Sequence, residues 1–217
     1  MKKWLFMVCL LACTLGAQAY EKGDMTLGLA AVYSPLALGT DFGEVNVDDQ
    51  NASIAHDAKL GKHGMGAELQ ALYFLNEQVG VGLSVADQYF AKELASGWQL
   101  NTRTRMRHLM AVGHVFLTPQ AAYKLYVPLG VGLAHTDFSM DFSPLGDSKK
   151  HFNYTGFAYY VGLGVERDIS ERFALALEGR YNANRFHDST TRDNGDHVTV
   201  YPRANFMSVL LRVVYKL

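Results

Sequence analysis

Ten strongly polar side chains stand in stretches otherwise built from apolar residues and glycine: Glu68, Gln70, Arg103, Arg105, Arg107, Glu166, Glu178, Arg180, Arg212 and Lys216. Carboxylates and guanidiniums mixed in this way either line a path for ions or pair with one another, because an unpaired buried charge is costly. Pairing is the expected use. Glu68, Glu178, Arg180, Arg212, Arg105 and Arg107 are the members of the expected interior network. Glu178 and Arg212 are expected at one depth on neighbouring strands, with Glu68 close to that layer and Arg180 just above it. The 8 histidines show no HExxH or other metal-ligand spacing. Three of them, His108, His114 and His135, are expected to point outward near the interfaces. His187-Asp188-Ser189 holds the residue types of a hydrolytic triad, but three adjacent residues cannot converge on one reacting atom. Asp41, Glu44, Asp48, Asp49 and Asp57 read as a solvated acidic loop rather than a cation site. No catalytic residue, no metal and no cofactor is expected.

These side chains need a frame to hold them. A net charge of −1 over 217 residues excludes a dedicated nucleic-acid binder on electrostatics, and 49% hydrophobic residues exclude a disordered chain. Lys2 and Lys3, the apolar run 4–12 and the small-x-small sequence Ala17-Gln18-Ala19 read as a secretory signal over residues 1–19. The run is too short to cross a bilayer as a helix, which takes ~20 apolar residues. Cleavage after Ala19 would remove Cys9 and Cys13 and leave a mature chain, residues 20–217, without thiols.

That mature chain alternates with period two almost throughout. Residues 25–33, 65–73, 79–86, 103–116, 125–134, 157–166, 173–181 and 207–217 form eight such segments. Each approaches the ~10 residues that a tilted strand needs to cross a membrane. One face is large and apolar. The other is mostly Gly, Ala and Ser with a few ionised groups, which suits the cramped interior of a small closed barrel better than a water-facing sheet. In the fourth segment Met106, Met110, Val112 and Phe116 are assigned to the outer face, and the three arginines to the inner one.

Connection lengths carry a second signal. Joins at 76–78, 118–122 and 167–172 are short, whereas those at 35–62, 91–101, 138–154 and 182–203 are long and polar. Short turns on one side and long loops on the other are the arrangement of a transmembrane barrel. Tyr73, Phe116, Tyr123, Phe173 and Tyr215 would form an aromatic girdle at the turn side, and Tyr33, Tyr89, Phe157, Tyr181 and Phe206 one at the loop side. The fold expected is all-β: an eight-stranded antiparallel up-and-down transmembrane β-barrel.

The glycine-alternating strands Val127-Pro128-Leu129-Gly130-Val131-Gly132-Leu133 and Val161-Gly162-Leu163-Gly164-Val165-Glu166 resemble those of the small eight-stranded outer-membrane barrels, the OmpA-like and opacity-protein group. The ending Val209-Leu210-Leu211-Arg212-Val213-Val214-Tyr215-Lys216-Leu217 is similar to that group's assembly signal, with Leu217 where the group usually has Phe. The resemblance implies a Gram-negative outer-membrane location. It also implies that the barrel-assembly machinery reads Val209, Leu211, Val213, Tyr215 and Leu217, and that lipopolysaccharide surrounds the wall.

Function follows less directly. The leading expectation is a barrel with a plugged lumen acting as a structural or surface-interaction protein, its loops meeting an extracellular ligand. Loop aromatics Trp98, Phe138, Phe142, Phe152, Tyr201 and Phe206 would supply adhesive edges. A narrow channel for small solutes is the alternative, and a lipid A-modifying enzyme comes third.

Overall fold

The structure, a computed structural model, describes residues 19–41, 63–90, 101–141, 150–186, 191–193, 196–198 and 203–217. Eight long strands close into one antiparallel barrel in the order β1-β10-β7-β6-β5-β4-β3-β2. They are β1 (Met25–Asp41), β2 (Gly64–Phe74), β3 (Val79–Phe90), β4 (Asn101–Phe116), β5 (Lys124–Asp141), β6 (Lys150–Asp168), β7 (Phe173–Phe186) and β10 (Arg203–Lys216). The short strands β8 (Thr191–Asp193) and β9 (Asp196–Val198) pair as a separate hairpin within the connection from β7 to β10. Every sequential neighbour pairs by antiparallel register, and β10 closes the barrel on β1. Closure leaves no strand edge, which is what allows a sheet to stand in lipid. No helix among the described residues is long and apolar enough to cross a membrane.

Alternation sorts the side chains cleanly. Leu29, Leu69, Leu83, Val131, Leu163, Leu177 and Leu211 face outward and are exposed, while Ala30, Glu68, Ser84, Gly164, Glu178 and Arg212 face inward. Outward apolar residues make a belt that only lipid can cover, since water would leave a large apolar patch bare. The girdles form from Tyr73, Tyr123 and Phe173 at the turn side and Tyr33, Tyr89, Phe157 and Tyr181 at the loop side, all exposed. Phe116 and Phe206, expected in those girdles, instead point into the lumen at 2% and 0% exposure.

The fourth strand is inverted relative to expectation. Met106, Met110, Val112 and Phe116 are buried inside, and Arg103 and Arg107 are exposed on the outside with Arg105 half-exposed beside them. The physical reason is that this lumen takes whole apolar and aromatic layers, so large apolar residues alone do not mark the lipid face. The strands also run further than the expected joins, β1 to Asp41, β5 to Asp141, β6 from Lys150 and β7 to Phe186. An antiparallel ladder can continue beyond the bilayer into water, because its backbone hydrogen bonds need only a neighbouring strand.

Short turns fix the closed end. The Asn76 side-chain oxygen accepts hydrogen bonds from the backbone N–H of Gln78 (2.9 Å) and Val79 (2.8 Å), the usual Asn turn device. Thr118 Oγ1 accepts from Leu125 N at 2.8 Å and Ser170 Oγ from Phe173 N at 3.1 Å. Ahead of β1, Gly23 takes a left-handed φ of 102°, and its N–H bonds the Phe74 carbonyl at 2.9 Å. This turn folds the chain back so that Tyr20 enters the mouth of the barrel.

Candidate functional site

At mid-lumen four charged residues form a closed ring. Glu68 on β2 accepts from Arg180 Nη1 at 2.5 Å and Nη2 at 3.0 Å, and from Arg212 Nη2 at 2.6 Å. Glu178 on β7 accepts from Arg212 Nη1 at 3.0 Å, from Arg180 Nε and from the Tyr126 hydroxyl at 2.9 Å. Each carboxylate therefore touches both guanidiniums, and all four side chains are buried. Two charges of each sign leave the ring neutral, which is the condition for keeping ions in so dry a place.

The ring depends on small neighbours. Gly28 leaves room for Arg212, whose Cδ would lie 2.7 Å from a Cβ at that position. Gly164 accommodates the Tyr126 ring in the same way, at 2.2 Å. Arg180 also lies over the Tyr160 ring, 4.0 Å from its centre. Glu178 and Arg212 are not directly opposite as expected. The register pairs Glu178 with Leu210 and Arg212 with Ala176, so the two meet along a diagonal that their long side chains span.

Layers fill the lumen on both sides of the ring. Toward the turn end Tyr20 stacks on Phe74 (3.8 Å between centroids), Phe116 packs on Tyr126 (5.2 Å), and His114 stacks on Tyr126 (4.7 Å). Below them Lys124 and Lys216 pair with Asp168 at 3.0 and 2.7 Å, and Glu166 accepts from Tyr20 at 2.7 Å. Toward the loop end His108 bonds Asn184 at 3.0 Å and Asn182 donates to Ser208 at 2.9 Å. Phe90, Met106, Phe138, Tyr154, Phe186 and Phe206 close the layer above. Small gaps remain, one between Ala86, His108 and Asn184 and one between Gln70, His114 and Arg212.

The expected network is thus divided. Glu68, Glu178, Arg180 and Arg212 come together, whereas Arg105 and Arg107 lie on the outer wall of β4 and bond Asp87 (2.5 Å) and Asp137 (2.8 Å) there. His108 and His114 are inside rather than outside, and His135 alone of the three faces outward. Their neighbours explain this: His114 shares a hydrogen bond with Gln70 at 3.2 Å, so a polar lumen partner replaces the solvent. Tyr126 lies inside, as its place on the small-residue face of β5 implies, whereas Tyr20 and Lys124 are lumen residues that the sequence reading did not assign. The same even spacing from Gly130 on β5 carried the signal for Lys124, while nothing in the pattern marked Tyr20. The stripe Val209, Leu211, Val213 and Leu217 faces outward with Tyr215 half-exposed beside it. Phe138 and Phe206 are buried in the lumen and give the loops no aromatic edge.

Trp98, Phe142, Tyr201, His187-Asp188-Ser189 and the acidic run from Glu44 to Asp57 lie outside the described residues, as does nearly all of the expected signal. The side chains of Asp41 and Phe152 lie outside them too. Among the described residues no group of three His, Cys, Asp or Glu side chains is placed to hold a metal ion.

The model of the outer membrane protein beta-barrel domain family matches residues 5–216. The chain belongs to this family. As an outer-membrane β-barrel it resides in the outer membrane of a Gram-negative envelope. Solved barrels share the fold. The attachment invasion locus protein Ail of Yersinia pestis matches at 15% identity and a TM-score of 0.53, over 90% of this chain and 99% of its own. OprG of Pseudomonas aeruginosa matches at 16% identity and 0.55, over 92% and 98%, and the Neisserial surface protein A at 16% and 0.51, over 88% and 97%. No curated protein matches the chain in sequence.

Proposed function

We propose that this outer-membrane barrel is a structural and surface-contact protein whose lumen is plugged. The observation that carries the reading is the neutral Glu68–Arg180–Glu178–Arg212 ring, packed between aromatic layers on both sides. A path for ions would have to break a buried ring and displace Tyr20, Phe74 and Phe116 on one side and Phe90, Met106 and Phe206 on the other. Eight strands enclose an interior that side chains just fill.

With the lumen closed, the places left for function are the long connections and the outer wall. The loops meet an extracellular ligand, and lipopolysaccharide surrounds the barrel. Ail, similar in fold, is known in complex with the heparin analogue sucrose octasulfate, which supports a ligand-contacting role for a barrel of this shape. Residues 1–19 act as the cleaved export signal, and the outward stripe Val209, Leu211, Val213, Tyr215 and Leu217 is read by the barrel-assembly machinery.

Conductance of the purified protein in planar lipid bilayers tests the plug. The expected trace has no discrete steps. Regular opening steps from the native protein would replace this reading with a narrow channel for small solutes.

A further inference from the structure

The arginines of β4 face a direction that the plugged-barrel reading does not use. Arg103, Arg105 and Arg107 occupy consecutive outward positions at the loop end of the strand, each ~6.6 Å from the next. Two are held still. Arg105 donates from Nε (3.0 Å) and Nη2 (2.5 Å) to Asp87 and lies over the Tyr89 ring at 5.0 Å; Arg107 donates to Asp137 at 2.8 Å. Arg103 is exposed and has no ion-pair partner among the described residues. His135 adds bonds to Thr155 (3.0 Å) and Asp137 (3.2 Å) on the same wall. A guanidinium carries five N–H donors, so both tethered arginines keep donors facing outward, and the patch keeps one surplus positive charge.

Below them on the same strand Leu109 stands outward between Val85 and Leu133, and beyond it the apolar wall is dented. Ala111 and Gly113 face outward between Leu83 and Val131 on one level and Val81 and Leu129 on the next. Their flanking strands stand ~9.5 Å apart, which leaves a trough one strand wide. A Cβ added at Gly113 would meet nothing nearer than the Gly80 carbonyl at 3.9 Å, so the space is open. Arg107 lies four residues above Ala111, ~13 Å along the strand.

Cations above a lipid-facing trough define an amphipathic site. We propose that the outer wall around β4 binds a phosphorylated, multiply acylated glycolipid of the outer leaflet, with its phosphates on Arg103, Arg105 and Arg107 and one acyl chain in the Ala111–Gly113 trough. Charge complementarity selects this occupant, because head groups are the anions that a wall at this level meets. Three arginines spread over ~13 Å exceed what one phosphate needs, which favours a lipid with more than one. This rests on the reading above that the loop end faces the outer leaflet.

The test uses full-length protein in zwitterionic nanodiscs titrated with bis-phosphorylated hexa-acyl lipid A, its dephosphorylated form and phosphatidylglycerol. Native protein should prefer the bis-phosphorylated lipid about tenfold over either competitor. Arg103→Gln/Arg105→Gln/Arg107→Gln should abolish that preference, and Arg103→Gln alone should weaken it about threefold without touching a paired group. Gly113→Leu should weaken binding of every acylated form while keeping the phosphate discrimination. Heat-shifted gel mobility reports folding of each variant. Equal retention by native protein and the triple variant overturns the site, as does equal competition by phosphatidylglycerol or an unaffected Gly113→Leu. Protease treatment of intact cells checks the orientation separately: loops cut only from the periplasm would remove the outward-loop reading whatever the lipid titration gave.

Discussion

Tyr20 donates its hydroxyl to Glu166 across 2.7 Å, although 146 positions separate them in the chain. The ring lies between Phe74 and the ammonium groups of Lys124 (4.5 Å) and Lys216 (5.1 Å). Burial, reinforced by the Glu166 carboxylate, holds this phenol well above its ordinary range. It therefore remains a donor at neutral pH, and the segment before β1 becomes part of the turn-side plug.

Tyr20→Phe keeps the stack and removes the donor. It should destabilise the barrel by about 1.5–3 kcal/mol, as for a hydrogen bond to a charged group. Urea unfolding in lipid vesicles measures this. Tyr20→Ala should cost more and make the turn-side mouth reactive to a small hydrophilic label attached at a cysteine replacing Ala176. Full stability of Tyr20→Phe would contradict the geometry.

Glu178→Gln leaves Arg180 and Arg212 sharing one carboxylate. The expected cost is about 3–5 kcal/mol by the same unfolding measurement. Adding Arg212→Gln restores charge balance, so the double variant should lose less than the two singles combined. Strict additivity would mean that the ring does not act as a unit.

The inverted fourth strand makes a sharp contrast. Leu211→Arg, near the middle of the lipid face, should cost about 2–4 kcal/mol. Arg107→Leu should cost under about 1 kcal/mol, because its pair with Asp137 is half-exposed. Comparable losses from both would return Arg107 to the lumen.

Gly164→Leu would drive a side chain into the Tyr126 ring. Overpacking of this kind costs about 1–3 kcal/mol. Tyr126→Ala in the same background should recover part of it, as read by thermal loss of the compact gel form.

Much of this molecule was readable from period-two alternation. Glycine facing leucine located the eight strands, and loop lengths identified the two ends. Glu178, Arg180 and Arg212 lay on the small-residue face of unambiguous strands, so their convergence with Glu68 followed from parity and antiparallel order. Parity failed on β4, where Met106 and Phe116 mimic a lipid face because the lumen wants them, and Arg105 mimics a lumen residue because the strand outruns the bilayer. His114 was misplaced with them, since a histidine on a lumen stripe between Gln70 and Tyr126 carries no local mark. Tyr20 was invisible for another reason: it precedes the first strand, and its place depends on a turn at Gly23 and on Phe74, far along the chain.

The mid-lumen ring also bears on how the sheet becomes a cylinder. Arg180 and Arg212 lie on β7 and β10, next to each other at one end of the unclosed sheet, whereas Glu68 on β2 lies 112 and 144 positions away at the opposite end. A sheet that stays open between β1 and β10 therefore strands a carboxylate at one flank and surplus cationic charge at the other, both within hydrocarbon. Half-zipped intermediates are penalised at two distant points at once, and the penalty vanishes only on sealing. The seam of this barrel is locked by residues that do not belong to its first strand, so a mutation at Glu68 should loosen a junction that it does not touch.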